Sequence, residues 1–444
     1  MSSLRTPLPG HARYRGAAEL ASAAAPRPLP PLGSDDRISL PAAAWRALDC
    51  GLRAVAVQDP HAATAEVQLQ QPYTPGTPRE SALAELLADA VLRGTDHELR
   101  SARTAEWFIT TAHVDPAGLA DLLREFTLPF TPRAVPADRV ALARTRLARR
   151  APMQASNPAT AAREALWTSR FGPLGCFAGL PGPDDITALT AADVETARRY
   201  MLRLSGAHLV VVADLPPEHA LDLAEAAFAG IDARPPAAPS PAAGPLPAPR
   251  DHQVVVHRPR ALQSHFLMSF PSVPWEDDRY PALALANAVF AGYFSSRLMG
   301  RIRERLGLSC HVVSYFDQML GTHSVLLEGA CATAATDTVL SELRAEWTGM
   351  ANRPPEPSEV EDARRYSLGM IAALRASPAA LTQFFSTLCC WGIPLDWAED
   401  YARRLRTVTP AEVTAAARAF LGPGPTSRVV VGDATVLTSG ETPQ

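Results

Sequence analysis

ITALTAADVETARRYMLRLSGAHLVVVADL, residues 186–215, and LRTVTPAEVTAAARAFLGPGPTSRVVVGDATVL, residues 405–437, are one plan written twice. Each offers a threonine suited to cap a helix, an amphipathic helical repeat, a short break and a β-branched strand. In the second copy Pro410 falls at the first helical position and Gly422 just past the end, where helix termini favour them. Two such passages about 200 residues apart each close a segment of ordinary domain size.

The two segments also open alike. GLRAVAVQDPHAATAEVQLQ predicts two strands around an Asp-Pro turn, followed by a helix over 78–93. HQVVVHRPRALQSHFLMSF predicts two strands around RPRA, followed by the helix DDRYPALALANAVFAG. Strands first, helices next and a returning strand last describe an α+β fold of two homologous domains, each a mainly antiparallel sheet with helices packed on one face. The expected boundaries are a disordered tail over 1–36, a first domain over 37–233, a Pro/Ala-rich linker over 234–252 and a second domain over 253–444.

Composition narrows the function. The chain has 444 residues, 47% of them hydrophobic and 20% charged, which describes a globular protein. A formal charge of -4 gives no electrostatic reason to expect nucleic acid or an anionic membrane as partner. Lysine is absent and the 42 basic residues are all arginine, a bias of the kind GC-rich bacterial genomes impose. The six cysteines (Cys50, Cys176, Cys310, Cys331, Cys389 and Cys390) include no CxxC pair, so reduced thiols in a bacterial cytoplasm are expected. No apolar run reaches the roughly 18 residues of a membrane span.

ALAELLADAVLRGT, residues 82–95, continues the helix that opens at the capping box Thr77-Pro78-Arg79-Glu80. Leu83, Leu86, Leu87, Ala90 and Val91 fall on one face, with Glu85, Asp89 and Arg93 opposite. Asp89 is positioned to pair with Arg93, and the stripe reads as a solvated polar face. Two carboxylates on one helix are too few oxygens for a hard-metal site.

From about Arg37 to Val436 the chain resembles the pitrilysin/insulinase family of zinc peptidases, in particular its two-domain subunits that pair into a clamshell. The resemblance rests on LDCGLRAVAVQDPHAATAEVQL, the GT that ends the first helix, ANAVFAGYFSSRLMGRIRERLGLSCHVVS and CCWGIPLDWAEDYARRLRTVTPAEV, with SSRLMGRIRERLGLS the most specific. Catalytic members carry H-x-x-E-H on that first helix, two histidines for zinc and a glutamate that polarises the attacking water. At those positions this chain has Glu85, Ala88 and Asp89. The family's third ligand, a later glutamate, falls near RVALARTRLARR, which offers alanine and arginine but no acid, and an arginine there repels a cation. The intervening segment is shorter than in relatives, so part of the strand at the cleft edge is expected to be missing.

The resemblance implies a substrate role in the second domain. Zinc subunits take from the partner half an arginine, and a tyrosine seven residues later, that bind substrate and stabilise charge on the attacked carbonyl oxygen. Arg303 matches the arginine; the tyrosine position is Cys310, whose thiol is a shorter and weaker donor. The plainer reading of Arg303 is a surface arginine paired with Glu304. Together these imply no metal and no catalytic residue in this chain, with zinc in an H-x-x-E-H partner subunit and a peptide as shared substrate. A structural or peptide-binding scaffold is the alternative. His252, His257 and His265 have no metal-ligand spacing and read as surface or packing histidines.

Overall fold

The computed structural model describes residues 39–73, 77–92, 95–131, 134–172, 181–232, 252–309, 311–422 and 426–437. The tail, the linker up to Asp251, Arg93 and Cys310 lie outside them, and with them the expected Asp89–Arg93 pair.

Both written copies fold as their caps dictate. Thr190 Oγ accepts from the Asp193 N–H while the Asp193 carboxylate accepts from the Thr190 N–H, opening the helix Ala191–Met201. Thr409 and Glu412 repeat the exchange before Pro410–Phe420. Each helix feeds a strand of valines, β6 (His208–Ala213) and β11 (Ser427–Gly432). Each strand then enters its sheet in the same way. β6 lies between β2 (Arg53–Gln58) and β3 (Ala65–Pro72), parallel to the first and antiparallel to the second. β11 lies between β7 (His252–His257) and β8 (Gln263–Pro271) with the same two senses.

The first sheet runs β1-β2-β6-β3-β5-β4, with β1 (Ala43–Ala47) and the short β4 (Arg100–Arg103) at its edges and β5 (Trp107–Val114) inside β4. The second runs β7-β11-β8-β10-β9, with β9 (His311–Met319) at the edge beside β10 (Thr322–Ala332). All other pairings are antiparallel, so the fold is α+β with two mainly antiparallel sheets. The described residues fall in one compact unit.

Alternation along the strands sorts two apolar faces per sheet. Ala54, Ala56, Leu69, Leu209 and Val211 face the first half's own helices, where Leu83, Leu86, Leu122 and Phe126 are buried. Phe266, Phe270, Val325 and Val430 do the same in the second half, and Phe270 meets Trp347 edge-on at 5.1 Å.

The remaining faces are covered by exchange. Helix Pro378–Trp391, from the second half, packs on β3 and β6 of the first sheet, setting Leu381, Phe385 and Cys389 in one cluster with Val55, Val57, Val210 and Val212. Helix Pro158–Phe171, from the first half, packs on β8 and β11 of the second sheet, placing Leu166 and Trp167 with Leu267, Leu326, Val429 and Val431. Continuous valine runs such as HLVVVA make sense only because both faces are buried. Among the described residues no helix is long and apolar enough to cross a membrane.

Candidate functional site

Helix Pro78–Leu92 holds its apolar side against the first sheet, which turns Glu85 and Asp89, one turn apart, toward helix Ala137–Ser156. That second helix carries Arg146 and Arg150, also one turn apart. Asp89 Oδ2 accepts from Arg146 Nε at 3.0 Å and Nη2 at 2.5 Å. Glu85 Oε2 accepts from Arg150 Nη2 at 2.9 Å, and Glu85 Oε1 from Arg103 Nε at 2.9 Å, where Arg103 ends the edge strand β4.

The expected solvated stripe is therefore corrected. Only 21% of the Glu85 side chain and 10% of Asp89 remain exposed, and each carboxylate is spent on guanidinium groups. Burial without such partners would be costly, which is why the acids and arginines occur together.

The same geometry tests the zinc site. Ala88 is buried and its methyl can neither bind a metal nor take a proton from water. Arg146 and Arg150 hold the helix where a third ligand was expected, and they bring positive charge. Among the described residues no three His, Cys, Asp or Glu side chains are grouped to hold a metal ion. These residues do not fit zinc.

Two cavities meet at Glu85. One, of about 630 Å³, is lined by Ala88, Asp89, Asp96, Arg100 and Arg150. It includes His97, whose Nδ1 is 2.9 Å from Glu125 Oε1, so this imidazole is committed to a neighbour. The other, of about 490 Å³, draws its walls from both halves: Arg103 and Glu106 from the first sheet, Asp317 and Met319 from β9, Trp167 and Trp391 from the exchanged helices. The edge strand β4 is four residues long.

The seam beside the second cavity is polar. Arg163 Nη2 donates to Tyr315 Oη at 3.0 Å and Glu328 Oε2 at 2.9 Å. Arg170, buried, donates to Ser269 Oγ at 2.9 Å and Ser324 Oγ at 2.7 Å. Burial pushes the Asp317 carboxyl up to about 6, and the Arg170 and Arg163 guanidiniums pull it back only in part. Burial likewise raises Glu106, which accepts from the Leu320 N–H at 2.8 Å. Cys390 Sγ donates to Gln70 Oε1 at 2.7 Å, and burial raises that thiol well above its ordinary range.

Arg303 sits on the π-helical turn Gly300–Arg305. Its guanidinium lies 4.6 Å from the centre of the exposed Phe294 ring, with Nε 3.4 Å from Glu304 Oε1. It lines neither cavity, so it is not gathered with Glu85 and Asp89. Sequence reasoning passed over Arg103 and Asp317, and it placed an arginine of the stretch 139–150 near the third-ligand position without pairing Arg146 or Arg150 with an acid. The one available signal was the i,i+4 spacing of Arg146 and Arg150, which matches that of Glu85 and Asp89.

Residues 188–366 match the family described as the peptidase M16 inactive domain. An uncharacterized zinc protease of Streptomyces coelicolor is 28% identical over 258 residues, which are 56% of this chain and 54% of that one. The match thus spans about half the length of this curated relative. A crystal structure of a peptidase M16 inactive domain from Pseudomonas fluorescens superposes with a TM-score of 0.76 at 18% identity, covering 90% of this chain and 99% of that one. A protease from Helicobacter pylori gives 0.75 at 14% identity, covering 89% and 100%.

Proposed function

We propose, starting from a chain that belongs to the pitrilysin/insulinase-like M16 peptidase family without its zinc motif, that it is the non-catalytic subunit of a two-chain metallopeptidase. An H-x-x-E-H partner would hold the zinc and the water; this chain would close the chamber and help bind an extended peptide. The observation that carries the reading is the pairing of a kept fold with a lost metal helix: Glu85 and Asp89 stand at the ligand positions, tied to arginines, and Ala88 stands at the position of the general base. A precursor or leader peptide in a bacterial cytoplasm is the substrate class by analogy with what relatives of this architecture enclose.

Purified by itself, the protein is expected to hold no stoichiometric zinc and to cleave no peptide; chelator-sensitive turnover by this chain would overturn the proposal. Co-expression with an H-x-x-E-H gene product from the same neighbourhood should yield a complex that cleaves peptides. Arg303→Ala in that complex is expected to lower the partner's kcat/KM by about 10- to 100-fold, as loss of one charged substrate contact does.

The scaffold reading has one observation in its favour, the commitment of Arg303 to Glu304 and Phe294 away from both cavities. It requires that Arg303→Ala leave the partner's turnover unchanged.

A further inference from the structure

The arginines at the former metal position are arranged with more order than loss of a ligand set requires. Arg146 meets Asp89 and Arg150 meets Glu85, so two pairs spaced by one helical turn lock two helices that run antiparallel at this point. Glu85 also reaches Arg103 on β4, with the Arg103 side chain 11% exposed. Three elements remote in sequence are thereby joined at one point: the first helix, the edge strand and the helix Ala137–Ser156. A zinc ion held by the first helix and a later one would join two of the same elements through a bound positive charge. A metal brings positive charge to ligands that are neutral or negative, whereas here the positive charge is covalently part of the chain.

We infer that the Glu85/Asp89–Arg103/Arg146/Arg150 cluster is a salt-bridge replacement for the metal. It holds the edge strand and the two helices together as a bound ion would, and the guanidinium groups, not merely the missing histidines, bar a divalent cation from the site. The inference stands on these ion pairs and needs no partner chain.

Two measurements test it. The first uses zinc chloride with two variants of the full chain. Glu85→His/Ala88→Glu/Asp89→His restores the helix motif but keeps all three arginines; it is expected to bind well under one equivalent of zinc. Adding Arg103→Gln, Arg146→Gln and Arg150→Glu to that variant removes the positive charge and supplies a third ligand. Affinity is then expected to rise by at least about a hundredfold, to one equivalent, because even one guanidinium beside a dication is strongly repulsive. Stoichiometric zinc on the first variant would overturn the inference, as would its absence from a folded second variant. A first variant that fails to fold, recovered by the three arginine changes, supports the inference, since unpaired guanidiniums are then the cause.

The second measurement is amide hydrogen exchange on Glu85→Gln, which keeps the side chain's shape and removes its charge. The β4 amides at Arg100–Arg103 are expected to exchange at least about tenfold faster than in the parent, with the core strand β6 unchanged. Unchanged β4 exchange would show that the cluster joins nothing and would overturn the inference.

Discussion

Expressed as separate chains, residues 39–232 and residues 252–437 are each expected to be recovered as aggregate, and to return as a soluble complex when made together. The reason is the exchange of helices. Without Pro378–Trp391 the first half bares Val55, Val57, Val210 and Val212 on neighbouring strands. Burying a valine side chain stabilises by about 1.5–3 kcal/mol, so these four represent roughly 6–12 kcal/mol. That rivals the roughly 5–15 kcal/mol net stability of a whole domain. The second half without Pro158–Phe171 bares Leu267, Leu326, Val429 and Val431 in the same way. A bare, flat, valine-rich face also recruits other chains. Size-exclusion chromatography and thermal melts decide the matter. Either half running as a monomer with a cooperative transition would show that the exchanged helices contribute little.

Asp317→Asn is expected to stabilise the protein by about 3 kcal/mol at neutral pH and not at all near pH 4. Burial pushes this carboxyl up to about 6 in the folded chain, against about 3.9 when unfolded. An acid with a raised folded value costs nothing while both states are protonated. The cost grows as pH climbs from about 4 through 6 and is complete above, because ionising the buried group is then required of the folded state alone. A shift of roughly two units corresponds to about 3 kcal/mol. The amide keeps the size and hydrogen-bonding capacity of the carboxyl without the charge. Arg170 keeps its bonds to Ser269 and Ser324, and Arg163 its bonds to Tyr315 and Glu328. Thermal melts of both proteins from pH 4 to pH 8 should therefore diverge with rising pH. A difference that does not change with pH would mean that Asp317 titrates as an ordinary surface acid.

The duplication was legible because its signals are local. A capping threonine, an acid three residues on, a helical repeat and a valine strand lie within about 30 residues of one another, and the structure honours each at Thr190 and Thr409. The valine runs marked the strands, but not that both of their faces would be buried. Which helix lies on the second face was not legible, since Val210 and Phe385 are brought together by packing across the whole chain. The candidate site divides along the same line. Loss of the metal ligands could be read from three positions on one helix. The guanidinium cluster could not, because Asp89 and Arg146 are 57 residues apart and a matched i,i+4 spacing does not by itself pair two helices. A polar stripe opposite an apolar one looks the same whether water or arginine faces it.

The returning strands set an order of events during synthesis. β6 belongs in the interior of its sheet, between β2 and β3, and the helix that shields those strands begins only at Pro378. Roughly 165 residues separate Ala213 from that proline, which a ribosome adds in about 8 to 33 seconds at 5–20 residues per second. Throughout that interval a finished first sheet waits with four valines uncovered on the emerging chain. Such a nascent intermediate is the natural client of a chaperone, and slowing translation between residues 213 and 378 should cost yield.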